Sequence, residues 1–306
     1  VKIFFYAAAL ALIALSIQST CHAQTKVRES MIVSTEWLAK HLDDDNLVLL
    51  QVGDKKEYDA AHIPGAQYIQ TSDISTPRGT GLILELPPVD QLKATFEKFG
   101  VTDKSRIIVY FGKEWVTPTS RVYFTLDYLG LGDRASILDG GLPAWTAEKR
   151  AVTADVKPAR PGSFTPHPNP QLVVDATWVK SNISKPGVAI LDARDAKFYT
   201  GADAGSMPRA GHIPSAKSIP FSTLVEDSNK FKSPEALRAL FNTAGVKPKD
   251  SVATYCHIGQ QASLLYFVAK YLGYDAHLYD GSFQDWSNRA ELPVEKSETT
   301  NAVKPN

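Results

Sequence analysis

Ser251-Val252-Ala253-Thr254-Tyr255-Cys256-His257-Ile258-Gly259-Gln260-Gln261-Ala262-Ser263 changes its structural period midway. Residues 251–255 make a short apolar, β-rich run, a tight loop begins at Cys256, and the apolar spacing onward to Tyr271 predicts a helix. A strand that stops at a loop and feeds a helix is the repeating unit of a parallel α/β sheet. In such sheets sites gather beyond the carboxyl ends of the strands, which is where Cys256 falls. The N–H groups of the loop and of the first helical turn, residues 257–262, are expected to point inward at whatever sits there and to stabilise negative charge. Cys256 is therefore a candidate thiolate nucleophile.

Outward from this stretch, the chain repeats itself. Leu92, Phe96, Gly100 and Val101 recur as Leu237, Phe241, Gly245 and Val246 at a constant offset of 145, each set marking an amphipathic helix ended by glycine. A β-rich run follows each, 106–111 and 251–256. Upstream, His62-Ile63-Pro64 is echoed by His212-Ile213-Pro214; downstream, Asp139-Gly140-Gly141 with Trp145 is echoed by Asp280-Gly281-Ser282 with Trp286. Four correspondences in one order indicate a tandem duplication. The strands predicted at 47–52 and 188–191 open the two units, giving domains at 30–152 and 171–294. Between them, prolines at 158, 161, 166, 168 and 170 mark 153–170 as a linker, and 295–306 reads as a loose polar tail.

The histidine and tryptophan pairs occur in both copies, so local turn and anchoring roles are expected for them. Asp139 and Asp280 read as strand-end turn residues. The position matching Cys256 in the first copy is Phe111, so that copy has no nucleophile and reads as structural, covering one wall of a cleft between the domains.

Bulk composition narrows the function classes. Lys+Arg and Asp+Glu both number 33, which leaves no net field favouring nucleic acid or an anionic membrane. An anionic substrate must be held locally. Residues 1–23, with Lys2 followed by an apolar run over 3–15 and small residues before Gln24, predict an export signal cleaved after Ala23. That run is short for a membrane span, so no stable membrane insertion is expected after cleavage. Lipid attachment at Cys21 is the weaker alternative, because Gln18-Ser19-Thr20 lacks the expected leucine. A periplasmic or secreted location follows, and there a lone Cys256 is an inert thiol, an intermolecular disulfide or a reactive group. The loop context favours reactivity.

The ordered set formed by Cys256-x-x-Gly259-x-x-Ala262, the two His-Ile-Pro segments and the two Asp-Gly…Trp segments resembles the tandem-domain rhodanese family of sulfurtransferases, over about residues 33–293. The resemblance implies two tandem rhodanese-like α/β domains, each a mostly parallel sheet flanked by helices, with catalysis in the second. It implies a Cys256 persulfide that takes sulfur from a small sulfur-containing anion such as thiosulfate or 3-mercaptopyruvate and passes it to cyanide or a thiol. Neither metal nor organic cofactor is required. Asp192 and Arg194 match the family's Asp-x-Arg signature, either organising the loop or forming a purely structural ion pair. His257, with an unshifted pKa near 6.5, either charges or hydrogen-bonds the donor or is an exposed loop residue with no specific role, and Gln260 and Gln261 are either further side-chain donors or ordinary helix-start polar residues.

Two positions depart from the family pattern. A further substrate-binding arginine falls on Phe198, with Lys197 beside it as a partial substitute, and the second loop position, lysine or serine in specialised members, is Ile258. These departures favour the alternative of a catalytically weak binding or redox-sensing module, whereas the intact loop favours catalysis. A cysteine phosphatase would need arginine six residues after the cysteine; Ala262 stands there.

Overall fold

A computed structural model describes residues 25–77, 79, 81–113 and 116–297. The expected export signal and most of the expected tail lie outside the described residues. The first copy contains β1 (Ile32–Val33), α1 (Thr35–His41), β2 (Leu47–Val52), α2 (Lys55–Ala60), β3 (Gln67–Ile69), α3 (Val89–Lys98), β4 (Arg106–Phe111), α4 (Val116–Tyr128), β5 (Ala135–Leu138) and α5 (Gly141–Ala147). The second contains β6 (Val173–Val174), α6 (Ala176–Ser181), β7 (Val188–Asp192), α7 (Ala196–Thr200), β8 (Lys217–Ser218), α8 (Pro234–Thr243), β9 (Ser251–Tyr255), α9 (Gln260–Tyr271), β10 (Asp275–Tyr279) and α10 (Ser282–Asn288).

Each copy builds a parallel five-stranded sheet, in the orders β1-β5-β4-β2-β3 and β6-β10-β9-β7-β8. Helices cover both faces, so the central strands are buried on both sides and read as near-continuous apolar runs such as Ile107-Ile108-Val109. The amphipathic helices expected from the repeat are α3 and α8, which bury Leu92 and Phe96 and, in the second copy, Leu237 and Phe241. Gly100 and Gly245 follow them at φ +84° and +78°, a left-handed stop that β-carbon sterics make costly for other residues.

The duplicated motifs have duplicated contacts. His62 and His212 stack on Tyr58 and Tyr199 at 4.1 and 3.9 Å, and their Nδ1 atoms contact the carbonyls of the same tyrosines. The Ile63 and Ile213 N–H groups each donate at 3.1 Å to a buried tyrosine hydroxyl, Tyr110 or Tyr255. Trp145 and Trp286 are buried and donate their indole N–H to the Ala151 and Pro293 carbonyls.

Three expectations need correction. The units do not open on β2 and β7; in each, a two-residue strand and a helix come first, too short to stand out by periodicity. The tail is tied at its start: the Glu295 N–H donates to the His212 carbonyl and the Ser297 N–H to the Thr200 carbonyl. The strand-end aspartates cross between the copies instead of serving only their own turns. Asp139 accepts the Phe231 N–H and Asp280 the Leu86 N–H, both at 2.9 Å.

The copies also share one core. Helices α4 and α9 face each other, with Tyr123 edge-on to Phe267 and Phe124 edge-on to Tyr266 at centroid separations of 4.7 and 4.9 Å. Asp127 on α4 accepts the Tyr266 hydroxyl at 2.6 Å and pairs with Lys270. Among the described residues no helix is long and apolar enough to cross a membrane.

Phe267 is fully buried at this junction. Replacing it with alanine should cost about 3–5 kcal/mol. Urea unfolding should show both domains losing stability together, since the cavity belongs to neither alone.

Candidate active site

Strand β9 ends one residue before Cys256, whose side chain is 1 % exposed. The backbone then turns through Gly259 at φ +87° into α9. That turn brings the Gly259 N–H to 3.2 Å from the Cys256 Sγ. Among the described residues it is the single backbone donor on the sulfur, where the sequence suggested a full ring of amides. Among the described residues the N–H groups of residues 257, 258, 260, 261 and 262 have no acceptor, and Ala262 itself is fully buried.

The other face of Cys256 is held from α10. Its N–H donates to the Ser282 Oγ at 3.2 Å, and the Ser282 hydroxyl donates to the Tyr279 carbonyl. Ser282 adopts φ +51°, an unfavourable region for a residue with a β-carbon. Its counterpart Gly141 has φ +55°, and a β-carbon there would lie 2.8 Å from Phe111. At Gly141 the contact is with both the Phe111 ring and its carbonyl, so the aromatic side chain adds to a backbone approach that is already close. Sequence reasoning passed over Ser282, although Gly-Gly against Gly-Ser beside Phe111 against Cys256 was a readable signal.

Asp192 and Arg194 form a buried pair at the end of β7. The Arg194 guanidinium donates to both carboxylate oxygens, at 2.6–3.1 Å, and to the Gly211 carbonyl at 2.7 Å. Burial opposes its charge, but Asp192 above all, with Tyr255 and Cys256, raises its pKa beyond the ordinary arginine value. Asp192 pairs across the sheet with Tyr255 just as Gln51 pairs with Tyr110. By that register Gln51 and Gly53 occupy the corresponding places in the first copy. The ion pair thus occurs only beside the cysteine, a distribution that a generic structural role does not require.

Of the roles open to His257, the structure removes the cationic one at neutral pH. Burial first, and the nearby Arg194 cation second, lower its pKa to about 4. Its ring sits edge-on to Phe198 at 4.6 Å, and its Nε2 is buried without a hydrogen-bond partner. Lys197 points away from a substitute's role: its ammonium pairs with Asp203 at 2.9 Å and lies 4.6 Å from the Phe198 ring centroid. Gln260 reaches across to Thr117 of the first copy at 3.4 Å, while the Gln261 Oε1 is buried without a partner. Ala262 is buried in the core. Ser263 lies inside α9 and donates to the Gly259 carbonyl.

Arg121, on α4 of the first copy, was missed entirely. It is fully buried, donates to the Asp280 Oδ1 at 2.6 Å and to the Leu84 carbonyl, and lies against Gly259, where a β-carbon would sit 3.2 Å from its Nη1. No local motif marks it, because its partner is 159 residues away. A cleft of about 590 Å³ opens beside the loop, lined by His257, Ile258, Phe198, Met207 and Gln284 of the second copy and Ile83 of the first. A larger hollow of about 720 Å³ lies around residues 26–31 and Gly273, with neither cysteine nor histidine in its wall.

A rhodanese-like domain model matches residues 34–148 and again 175–289. The chain belongs to the rhodanese-like family. It is 32% identical over 286 residues to the sulfur carrier protein TtuD of Thermus thermophilus, covering 88% of this chain and 97% of that one. The thiosulfate sulfurtransferase of Pseudomonas aeruginosa is 28% identical over 87% of this chain and 97% of its own. The mitochondrial thiosulfate/3-mercaptopyruvate sulfurtransferase 1 of Arabidopsis thaliana is also 28% identical, over 88% of this chain and 79% of its own. In fold the chain matches an anaerobic ergothioneine biosynthesis enzyme from Chlorobium limicola, with a TM-score of 0.78 at 21% identity, covering 88% of this chain and 70% of that one.

Breaking a buried ion pair leaves an uncompensated charge and costs about 3–5 kcal/mol. Arg121→Met should therefore lower stability by about that amount, and Gly259→Ala should slow alkylation of Cys256 by displacing the loop. Thermal unfolding and iodoacetamide kinetics check the two. The His257 imidazole should titrate by NMR with a midpoint of about 4. Because its folded pKa lies below the unfolded value, the unfolded state binds more protons in between, and stability should fall as pH drops from about 6.5 to about 4. His257→Gln should reduce that slope in urea titrations.

Proposed function

We propose that this protein is a sulfurtransferase in which Cys256 accepts a sulfane sulfur as a persulfide and passes it to a thiophilic acceptor. The observation that carries the reading is the Cys256 Sγ on the Gly259 N–H at the mouth of α9, in the copy that also holds the Asp192–Arg194 pair. The Cys256 thiolate attacks the outer sulfur of thiosulfate or a related donor such as 3-mercaptopyruvate. The new S–S bond forms as the donor's bond to that sulfur breaks, and the leaving group departs with the electron pair (sulfite, in the case of thiosulfate). Cyanide or a thiol then removes the terminal sulfur and regenerates the thiolate. Developing negative charge on the outer sulfur would be met by the Gly259 N–H, by the unpaired N–H groups of residues 257, 258, 260, 261 and 262, and by the N-terminus of α9. Arg194, kept charged by Asp192, adds a fixed positive charge behind the strand end.

Several relatives are named sulfurtransferases, and one a sulfur carrier, which supports the reaction class. The export reading of residues 1–23 places the reaction outside the cytoplasm; N-terminal mass analysis of the mature protein, expected to begin at Gln24, tests that. Incubation with thiosulfate or 3-mercaptopyruvate should add the mass of one sulfur atom, and cyanide should discharge it as thiocyanate. Cys256→Ser should abolish loading while the circular dichroism stays unchanged, because a hydroxyl is a far poorer soft nucleophile at neutral pH. Failure of every sulfane donor to load the wild-type protein would transfer the assignment to a binding or redox-sensing module.

A further inference from the structure

Where the second copy has Asp192, Arg194, Cys256 and Ser282, the first has Gln51, Gly53, Phe111 and Gly141. One further position changes with them. Phe283 follows Ser282, and its counterpart after Gly141 is Leu142. Both side chains are buried, so core packing at this place is served by an aliphatic group in one copy and by an aromatic ring in the other. The ring occurs in the copy that holds the cation. The central carbon of the Arg194 guanidinium lies over the Phe283 ring, 4.1 Å from its centroid, against 5.7 Å for the Tyr255 ring. Tyr255 is the less specific partner, because its counterpart Tyr110 is present in the first copy without an arginine. Along its edge the guanidinium is held by Asp192 and the Gly211 carbonyl. Its faces have no hydrogen-bonding capacity, and an aromatic ring attracts them through the negative face of its π system.

Phe283 is also tied to the nucleophile. Its N–H donates to the Cys256 carbonyl at 2.9 Å, and the Gln284 N–H donates to the His257 carbonyl at 2.9 Å. The first turn of α10 thus braces the backbone that carries the sulfur. One residue holds Cys256 by its main chain and Arg194 by its ring. We propose that Phe283 is a positioning residue for sulfur transfer, its π face keeping the Arg194 guanidinium buried and in fixed register with Cys256. The inference rests on the sulfurtransferase reading and adds a residue to that same site. Arg194 is 1 % exposed, and a cation sheltered from water acts on its neighbours through a low effective dielectric. Loosened from the ring, it would draw in water and its field would be screened. His257 reports that field independently of turnover, since the Arg194 cation is the second cause of its low pKa, after burial.

The test places mono-, di- and trifluorophenylalanine at position 283 of the full chain. Ring fluorines withdraw negative charge from the π face while leaving its shape nearly unchanged, so a purely packing role is indifferent to the series. Single-turnover loading from thiosulfate, followed by mass spectrometry, should slow in order along it, by about two- to fivefold at the trifluoro ring. The His257 midpoint, followed by NMR, should rise in the same order from about 4 toward its ordinary value. Phe283→Leu, which copies the first repeat, should show the largest change in both. With Asp192→Asn and Arg194→Met together, which remove both charges, the midpoint should become insensitive to fluorine. Equal loading rates and an unmoved midpoint across the series overturn the inference and leave the sulfurtransferase reading intact, as does a midpoint trend that persists without Arg194. Absence of loading of the wild-type protein by any sulfane donor overturns that reading instead, and the His257 midpoint still decides whether the ring holds the cation.

Discussion

The buried Arg121–Asp280 ion pair is the constraint on which the site depends. Arg121 comes from α4 in the first copy and Asp280 from the end of β10 in the second, so the pair exists only when the copies are docked. Neither group can be left alone inside the protein without a large desolvation cost. Asp280 also accepts the Leu86 N–H, and the Arg121 guanidinium presses against Gly259. The same residues that fasten the domains therefore set the backbone that presents an N–H to the Cys256 sulfur. The first copy, which has no cysteine, is part of the loop's support.

Duplication explains both the symmetry and its breakdown. Two sheets of the same topology exchange strand-end aspartates and pack equivalent helices against each other, so the interface has pseudo-twofold character. At the equivalent strand ends the copies diverge in a coordinated way. Phe111 stands in place of Cys256, and Gly141 in place of Ser282, where a β-carbon would lie 2.8 Å from both the Phe111 ring and the Phe111 carbonyl. Gln51 and Gly53 stand where the second copy has Asp192 and Arg194. A pocket filled by an aromatic ring has no charge to balance, so the ion pair has no purpose there.

The electrostatics of the second copy are local. A chain with equal numbers of acidic and basic residues exerts little long-range pull on an anion. What remains is the Gly259 N–H on the sulfur, a charged Arg194 held by its aspartate, and a neighbouring cleft in whose wall His257 stays neutral. Backbone dipoles fixed by β9 and α9 cost no reorganisation when charge develops.

The fold and the candidate nucleophile were legible in the sequence because they rest on local rules. Period changes at 251–263, glycine stops at Gly100 and Gly245, and an ordered repeat are enough to specify two parallel α/β units with a cysteine at one strand end. The short strands β1 and β6 were not legible, since two residues carry no period. Neither was Arg121, whose role arises from a partner 159 residues away. The titration of His257 could not be read either, because its midpoint depends on burial and on Arg194, brought in from the loop after β7. The sequence by itself determined the element types, the duplication and which copy holds the sulfur, all consequences of neighbours along the chain. Tertiary structure alone decided which charges are neutralised, which donors stay open and what lines the cleft, because those depend on groups that meet only when the two sheets dock.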